Sequence, residues 1–249
     1  MEISIKRDGL TLRGDLVKPD VEKCPIAIIF HGIMANRNAE MFTSIAGALV
    51  EKGIAAIKFD FDGHGESDGD FSDMSVYSEI LDAAKIMDYV KELDFVTDIY
   101  IVGHSQGGLV GGMTAGYYRE YVSKLVMLAP AATIKDDAQV GNCFGKKYDT
   151  YNTPEYIELF NRERESFLLD DVYMRIARTL PVYETTSMFR GKTLIIHGEK
   201  DEAVGVIGAK RYAECMDDVT LNIIENETHG LDTISLQDVV TQVAEFLSE

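Results

Sequence analysis

The chain has 249 residues, 46% of them apolar, which is enough for one domain with a full core. It contains no run of eighteen or more apolar residues, which excludes a membrane-spanning helix. Its formal charge of −18, from 24 basic and 42 acidic residues, repels phosphate backbones and anionic membranes and argues against nucleic-acid or membrane partners.

The opening stretch MEISIKRDGLTL alternates like a strand and lacks the apolar centre of a signal peptide, so the expected location is the cytoplasm. Residues 2–7 and 10–17 flank Asp8-Gly9 and are predicted to form an antiparallel hairpin with a primed turn. PIAIIFHG (25–32) is almost continuously apolar, the pattern of a strand buried on both faces. A helix is predicted over 38–52, ended by Gly53 in the capping position. The strand 54–60 then leads into the glycine-rich turn FDGHGESDG (61–69). A long helix follows over 75–93, then a buried strand over 98–104 and a helix over 106–118. That last helix carries Gly107, Gly108, Gly111 and Gly112, which weaken it, so their expected use is close approach to the sheet.

Strands are predicted at 124–130, 192–198 and 219–225, with helices near 207–216 and 237–248. The alternation implies an α/β fold: a mostly parallel eight-stranded sheet with helices on both faces. One interval breaks the rhythm, because roughly sixty residues separate Pro130 from Gly191 where ~12 would serve as a crossover. It is polar and aromatic, and is expected to be a small cap inserted over about 131–181 within a single domain spanning 1–249. Three scattered cysteines (Cys24, Cys143, Cys215) form no CxxC pair and suit idle thiols in a reducing compartment. Neither cysteines nor histidines show the spacing of zinc ligands, so no metal is expected.

Gly103-His104-Ser105-Gln106-Gly107 matches GxSxG and has a predicted strand before it and a helix after it. Such a turn lifts the serine hydroxyl over the carboxyl end of the sheet and offers free helix N–H groups to a developing oxyanion. Ser105 then needs a base, and the base an orienting carboxylate. Asp201 lies in the loop after the strand 192–198, and His229 in the loop after 219–225; both loops leave the same sheet edge as Ser105. Asp201 is read as the orienter and His229 as the base, with Glu199 and Glu202 as competitors for the orienting role. His104 belongs to the elbow itself, where adjacent residues point apart. His31, His64 and His197 sit in glycine-flanked turns and are read as structural hydrogen-bonders. The expected oxyanion donors are the N–H groups of Ile33, in the loop after 25–32, and of Gln106.

HGIMANRN (31–38), FDGHGESDG (61–69), GHSQGG (103–108), HGEKD (197–201) and the terminal TH (228–229) occur in the order found in the α/β-hydrolase superfamily, which the whole chain resembles. Within it, APAATIKDDA (129–138) and YMRIARTLPVYE (173–184) are similar to segments of bacterial cinnamoyl (feruloyl) esterases. The resemblance implies a serine esterase acting on a small-molecule hydroxycinnamate ester, with no cofactor. It also implies that Asp137 and Tyr173 meet the phenolic hydroxyls of the acid. A lipase-like or short-chain carboxylesterase shares every catalytic residue, and a ligand-binding protein of the same fold shares the frame. A peptidase of the prolyl-oligopeptidase type lacks room for its propeller. The sequence is compatible with a monomer or a homodimer.

Overall fold

The computed structural model describes residues 1–233 and 236–249. Glu2–Arg7 (β1) and Leu10–Val17 (β2) pair antiparallel, and Asp8 (φ 48°) with Gly9 (φ 92°) supplies the two left-handed residues that the predicted primed turn needs. Cys24–Phe30 (β3) explains its apolar run: Ile26, Ile28 and Phe30 enter one core cluster, while Ala27 and Ile29 enter the other. The strand stops two residues before the predicted end, because His31 and Gly32 leave the sheet as a loop. Glu40–Glu51 (α1) ends in a Schellman cap, with Gly53 at φ 80°, its N–H on the Val50 carbonyl at 3.0 Å and the Ile54 N–H on Leu49 at 2.9 Å.

Ala55–Phe59 (β4), Val76–Lys91 (α2), Val96–His104 (β5), Gln106–Tyr117 (α3) and Val122–Leu128 (β6) follow in turn. The segment after β6 holds Ile134–Gln139 (α4), a tiny hairpin of Asn142–Cys143 (β7) and Lys146–Lys147 (β8), and a second hairpin of Tyr156–Phe160 (β9) and Ser166–Asp170 (β10). Asp171–Ala177 (α5) and Val182–Thr186 (α6) return the chain to Lys192–Gly198 (β11), Ile207–Cys215 (α7), Val219–Ile224 (β12) and Leu236–Ser248 (α8). The main sheet has eight strands in the order β1-β2-β4-β3-β5-β6-β11-β12, antiparallel at β1 and β2 and parallel beyond.

Helices α1 and α8 cover one face through Phe42, Ile45, Leu49, Val239 and Val243, while α2 and α3 cover the other through Ala83, Ile86, Leu109 and Met113. From β3 the chain goes first to β4 on one side and then to β5 on the other, which opens a crevice at the carboxyl ends of β3 and β5. Helix α3 lies very close to its neighbours. A Cβ on Gly111 would stand 2.9 Å from Ile101 of the sheet, and one on Gly116 would stand 2.0 Å from the Thr185 carbonyl of α6. The glycines therefore serve two contacts, the expected one with the sheet and another with α6. Among the described residues no helix is long and apolar enough to cross a membrane.

Candidate active site

Ser105 joins β5 to α3 with φ 55° and ψ −121°, a conformation that L-residues rarely adopt and that tight packing must hold in place. The packing depends on the two motif glycines. A Cβ on Gly103 would come within 2.1 Å of the Gly107 carbonyl, and one on Gly107 within 2.3 Å of the His31 carbonyl. The turn presents the Ser105 hydroxyl to His229, whose Nε2 is 2.9 Å away. On its other side the His229 Nδ1 is 2.7 Å from Asp201 Oδ2. Asp201 and His229 come from the loops after β11 and β12, so three separated segments meet at one sheet edge.

Asp201 is fully buried as a side chain, and its Oδ1 accepts the N–H groups of Ala203 (3.0 Å) and Val204 (2.8 Å). Burial alone would raise its pKa. Hydrogen bonds from His197 and His229, the charge of His229 and the Val204 N–H together overcome burial and hold the carboxyl well below the usual carboxylate range. An ionised Asp201 fixes the His229 proton on Nδ1 and leaves Nε2 free to accept from Ser105. Glu199, the competing orienter, instead accepts the Asn226 N–H at 3.1 Å. Glu202 borders an open cleft beside His229 with Arg162, Lys200 and Thr228.

The loop 31–34 abuts the serine: a Cβ on Gly32 would lie 2.9 Å from Ser105 Cβ. The Gln106 N–H, at the first residue of α3, has no acceptor within its own helix. Two buried histidines brace the Ile33 loop. His31 Nε2 accepts the Phe61 N–H at 3.0 Å while its Nδ1 faces the Gly32 carbonyl at 2.8 Å. His64 Nε2 accepts the Met34 N–H at 3.3 Å. Burial lowers both rings, His31 to about 4 and His64 to about 3, so both are neutral and can accept at Nε2.

The family description "serine aminopeptidase, S33" matches residues 22–153. The chain is similar to Est1E from Butyrivibrio proteoclasticus, whose structure has ferulic acid bound, at 34% identity and a TM-score of 0.93 over 98% of this chain and 97% of that one. The chain is an S33-family α/β hydrolase. A putative hydrolase from Agrobacterium vitis S4 (21% identity, TM-score 0.84, covering 100% and 98%) shares the fold. So does the mouse α/β hydrolase domain-containing protein 10 (21% identity, TM-score 0.80, covering 99% and 98%). No curated protein sequence matches the chain.

In this hydrolase His104 is half-buried beside the serine, with its Nε2 2.9 Å from the His229 carbonyl. It therefore ties the elbow to the loop that carries His229. Burial and then the charge of His229 lower its pKa to about 3, so it is the neutral ring that donates to that carbonyl. His197, expected as a general hydrogen-bonder, has a more specific place: its Nε2 is 3.1 Å from Asp201 Oδ2 and 3.2 Å from the Val204 carbonyl.

A partly open pocket beside the elbow is lined by Thr133, Ile134, Asp137, Cys143, Phe144 and Tyr173. Both Asp137 oxygens are held, Oδ2 by the Thr133 hydroxyl at 2.7 Å and Oδ1 by the Asn142 amide at 2.8 Å. Tyr173 is fully buried; its ring faces the pocket, but its hydroxyl donates to Gln106 Oε1. Burial pushes the Cys143 thiol up to about 12, so at neutral pH it is an inert lining group.

Sequence reasoning missed the Arg37–Asp60 clamp. The Arg37 side chain is 4% exposed, and its guanidinium pairs with Asp60, Asp15 and Glu66. Asp60 also accepts the Arg37 N–H at 2.7 Å and the Glu66 N–H at 2.9 Å, locking the loop that carries Ile33 to the turn 61–69. Nothing in the sequence marks Arg37 as buried, since the clamp depends on what tertiary packing brings together. Glu79, fully buried on α2, left no trace in the sequence pattern.

Proposed function

We propose that this chain is a serine carboxylesterase that cleaves hydroxycinnamate (feruloyl-type) esters through an acyl-enzyme. The observation that carries the reaction class is the hydrogen-bonded series Ser105–His229–Asp201 beneath a crevice with two candidate oxyanion donors. The acyl group is argued from the whole-chain likeness to Est1E, which binds ferulic acid. As the Ser105 oxygen attacks the ester carbonyl, its proton passes to His229 Nε2, and the imidazolium is stabilised by Asp201. The carbonyl electrons move to oxygen, held by the N–H groups of Ile33 and Gln106. Collapse of this intermediate expels the alcohol with the proton from His229. Water, deprotonated by the same ring, then frees the acid and restores Ser105. Each step is carried by these groups and none calls for a cofactor.

Residues 131–181 serve in this reading as a cap over the acyl pocket, with Asp137 and Tyr173 beside the aromatic acid. The family description favours a second reading, cleavage of aminoacyl amides by the same serine and histidine. One comparison separates them: purified protein on methyl ferulate, on 4-nitrophenyl esters of increasing chain length, and on aminoacyl 4-nitroanilides. The expected order of kcat/KM puts methyl ferulate first. Preference for medium-chain aliphatic esters would overturn the acyl group, and preference for the anilides would overturn the esterase. Ser105→Ala is expected to retain its fold and lose turnover by about 10³-fold or more. Substantial esterase activity in that variant would remove Ser105 from the mechanism.

A further inference from the structure

Next to the elbow, three buried polar side chains meet. Glu79 of α2, Gln106 of α3 and Tyr173 of α5 are each 0% exposed. The Tyr173 hydroxyl donates to Gln106 Oε1, which turns the Gln106 Nε2 away from Tyr173. Among the described residues, neither that Nε2 nor either carboxyl oxygen of Glu79 has a hydrogen-bond partner of good geometry. Helix α2, which carries Glu79, packs against both α3 and α5, and the Gln106 amide favours the charged form of the Glu79 carboxyl. Burying a carboxyl in this way costs stability, and nearby acids do not share its situation. Asp82 and Asp62 are paired with Arg7, at 2.6 and 3.1 Å.

Gln106 is also the residue whose backbone N–H is a candidate oxyanion donor. Its side chain and its N–H spring from one Cα at the first position of α3, next to the strained Ser105. Fixing the side chain between Glu79 and Tyr173 restrains rotation of that residue. We propose that the Glu79 carboxyl, acting through the Gln106 side chain and the Tyr173 hydroxyl, aims the Gln106 N–H at the developing oxyanion and is thus a positioning residue for acyl transfer. The proposal rests on the serine-esterase reading above. Tyr173 then has two duties, its ring toward the pocket and its hydroxyl toward the elbow.

Burial first, opposed by Gln106 and reinforced by Asp62 and Asp82, pushes the Glu79 carboxyl well above the usual carboxylate range. Glutamine has the same shape as the glutamate and keeps a side-chain oxygen for the Gln106 amide. The groups facing it are Asp62, Asp82, Gln106 and Tyr173, with Arg7 paired to the two aspartates.

The test uses full-length protein and 4-nitrophenyl acetate, whose acyl group carries no ring for Tyr173 to hold. Glu79→Gln keeps an acceptor for Gln106; Glu79→Met fills the same space without one; Tyr173→Phe removes the hydroxyl on the other side. Glu79→Gln is expected to hold kcat within about twofold of the parent, whereas Glu79→Met and Tyr173→Phe each lose about tenfold in kcat with KM unchanged. Because both act through one amide, the double variant Glu79→Met/Tyr173→Phe should be no slower than the slower single variant. Glu79→Met with kcat within twofold of the parent, losses confined to KM, or multiplicative losses in the double variant would each overturn the proposal. Release of 4-nitrophenol that depends on Ser105 is measured in parallel. Its absence in the parent protein would instead sink the esterase reading itself.

Discussion

At the scale of single residues, the site is governed by which partner each histidine and carboxylate has. Asp201 binds His229 and His197 at once, so Asp201→Asn would place an amide donor where both rings need an acceptor. We expect that variant to keep its substrate affinity and lose about 10³- to 10⁴-fold in kcat, measured by steady-state kinetics with a ferulate ester. Glu79 gives a prediction about stability with the opposite pH sense to Asp201. Its folded-state pKa lies above the unfolded value because of burial, so the folded state binds the extra proton. Stability from this group is therefore full below the ordinary carboxyl pKa and declines as pH rises above it. Glu79→Gln should raise the urea midpoint at pH 7 and lose that advantage near pH 4. An equal gain at both pH values would show that the carboxyl is not held neutral.

At the scale of elements, glycine makes opposite predictions on two helices. Gly47 sits on the exposed side of α1 with nothing within 4 Å of an added Cβ, so Gly47→Ala should stabilise by roughly 0.5–1 kcal/mol. Gly116 on α3 would drive a Cβ against the Thr185 carbonyl, and Gly116→Ala should lower the urea midpoint by pushing α6 from α3. The same contrast explains what could be read in the sequence. Asp8-Gly9, Gly53 and the GxSxG glycines encode local backbone geometry, and each element they bound lies where it was expected to within a residue or two. The order Ser105, Asp201, His229 was legible because each follows a strand that reads clearly. The roles of His104 and His197, the Arg37–Asp60 clamp and buried Glu79 were not legible. They depend on which groups tertiary packing brings together: His104 meets a carbonyl 125 positions away, and Glu79 looks in sequence like any charged helix residue.

At the scale of the whole molecule, the chain divides the site between well-protected and poorly protected structure. Ser105 leaves β5, deep within the sheet, whereas His229 follows β12, the last strand in the order, none of whose residues is fully buried. Local opening should begin at such an edge. Amides of 219–229 should thus exchange with solvent well before those of 99–105, and on heating, turnover should fall before the global unfolding transition. Simultaneous exchange of both segments would contradict this. The edge position of β12 then has a consequence for how the protein survives stress. On the proposed mechanism, detaching His229 silences Ser105 while the central strands are still paired, and those strands remain as a template on which the detached segment can reseat. Brief heating should therefore give a dormant protein that recovers on cooling, not an aggregate.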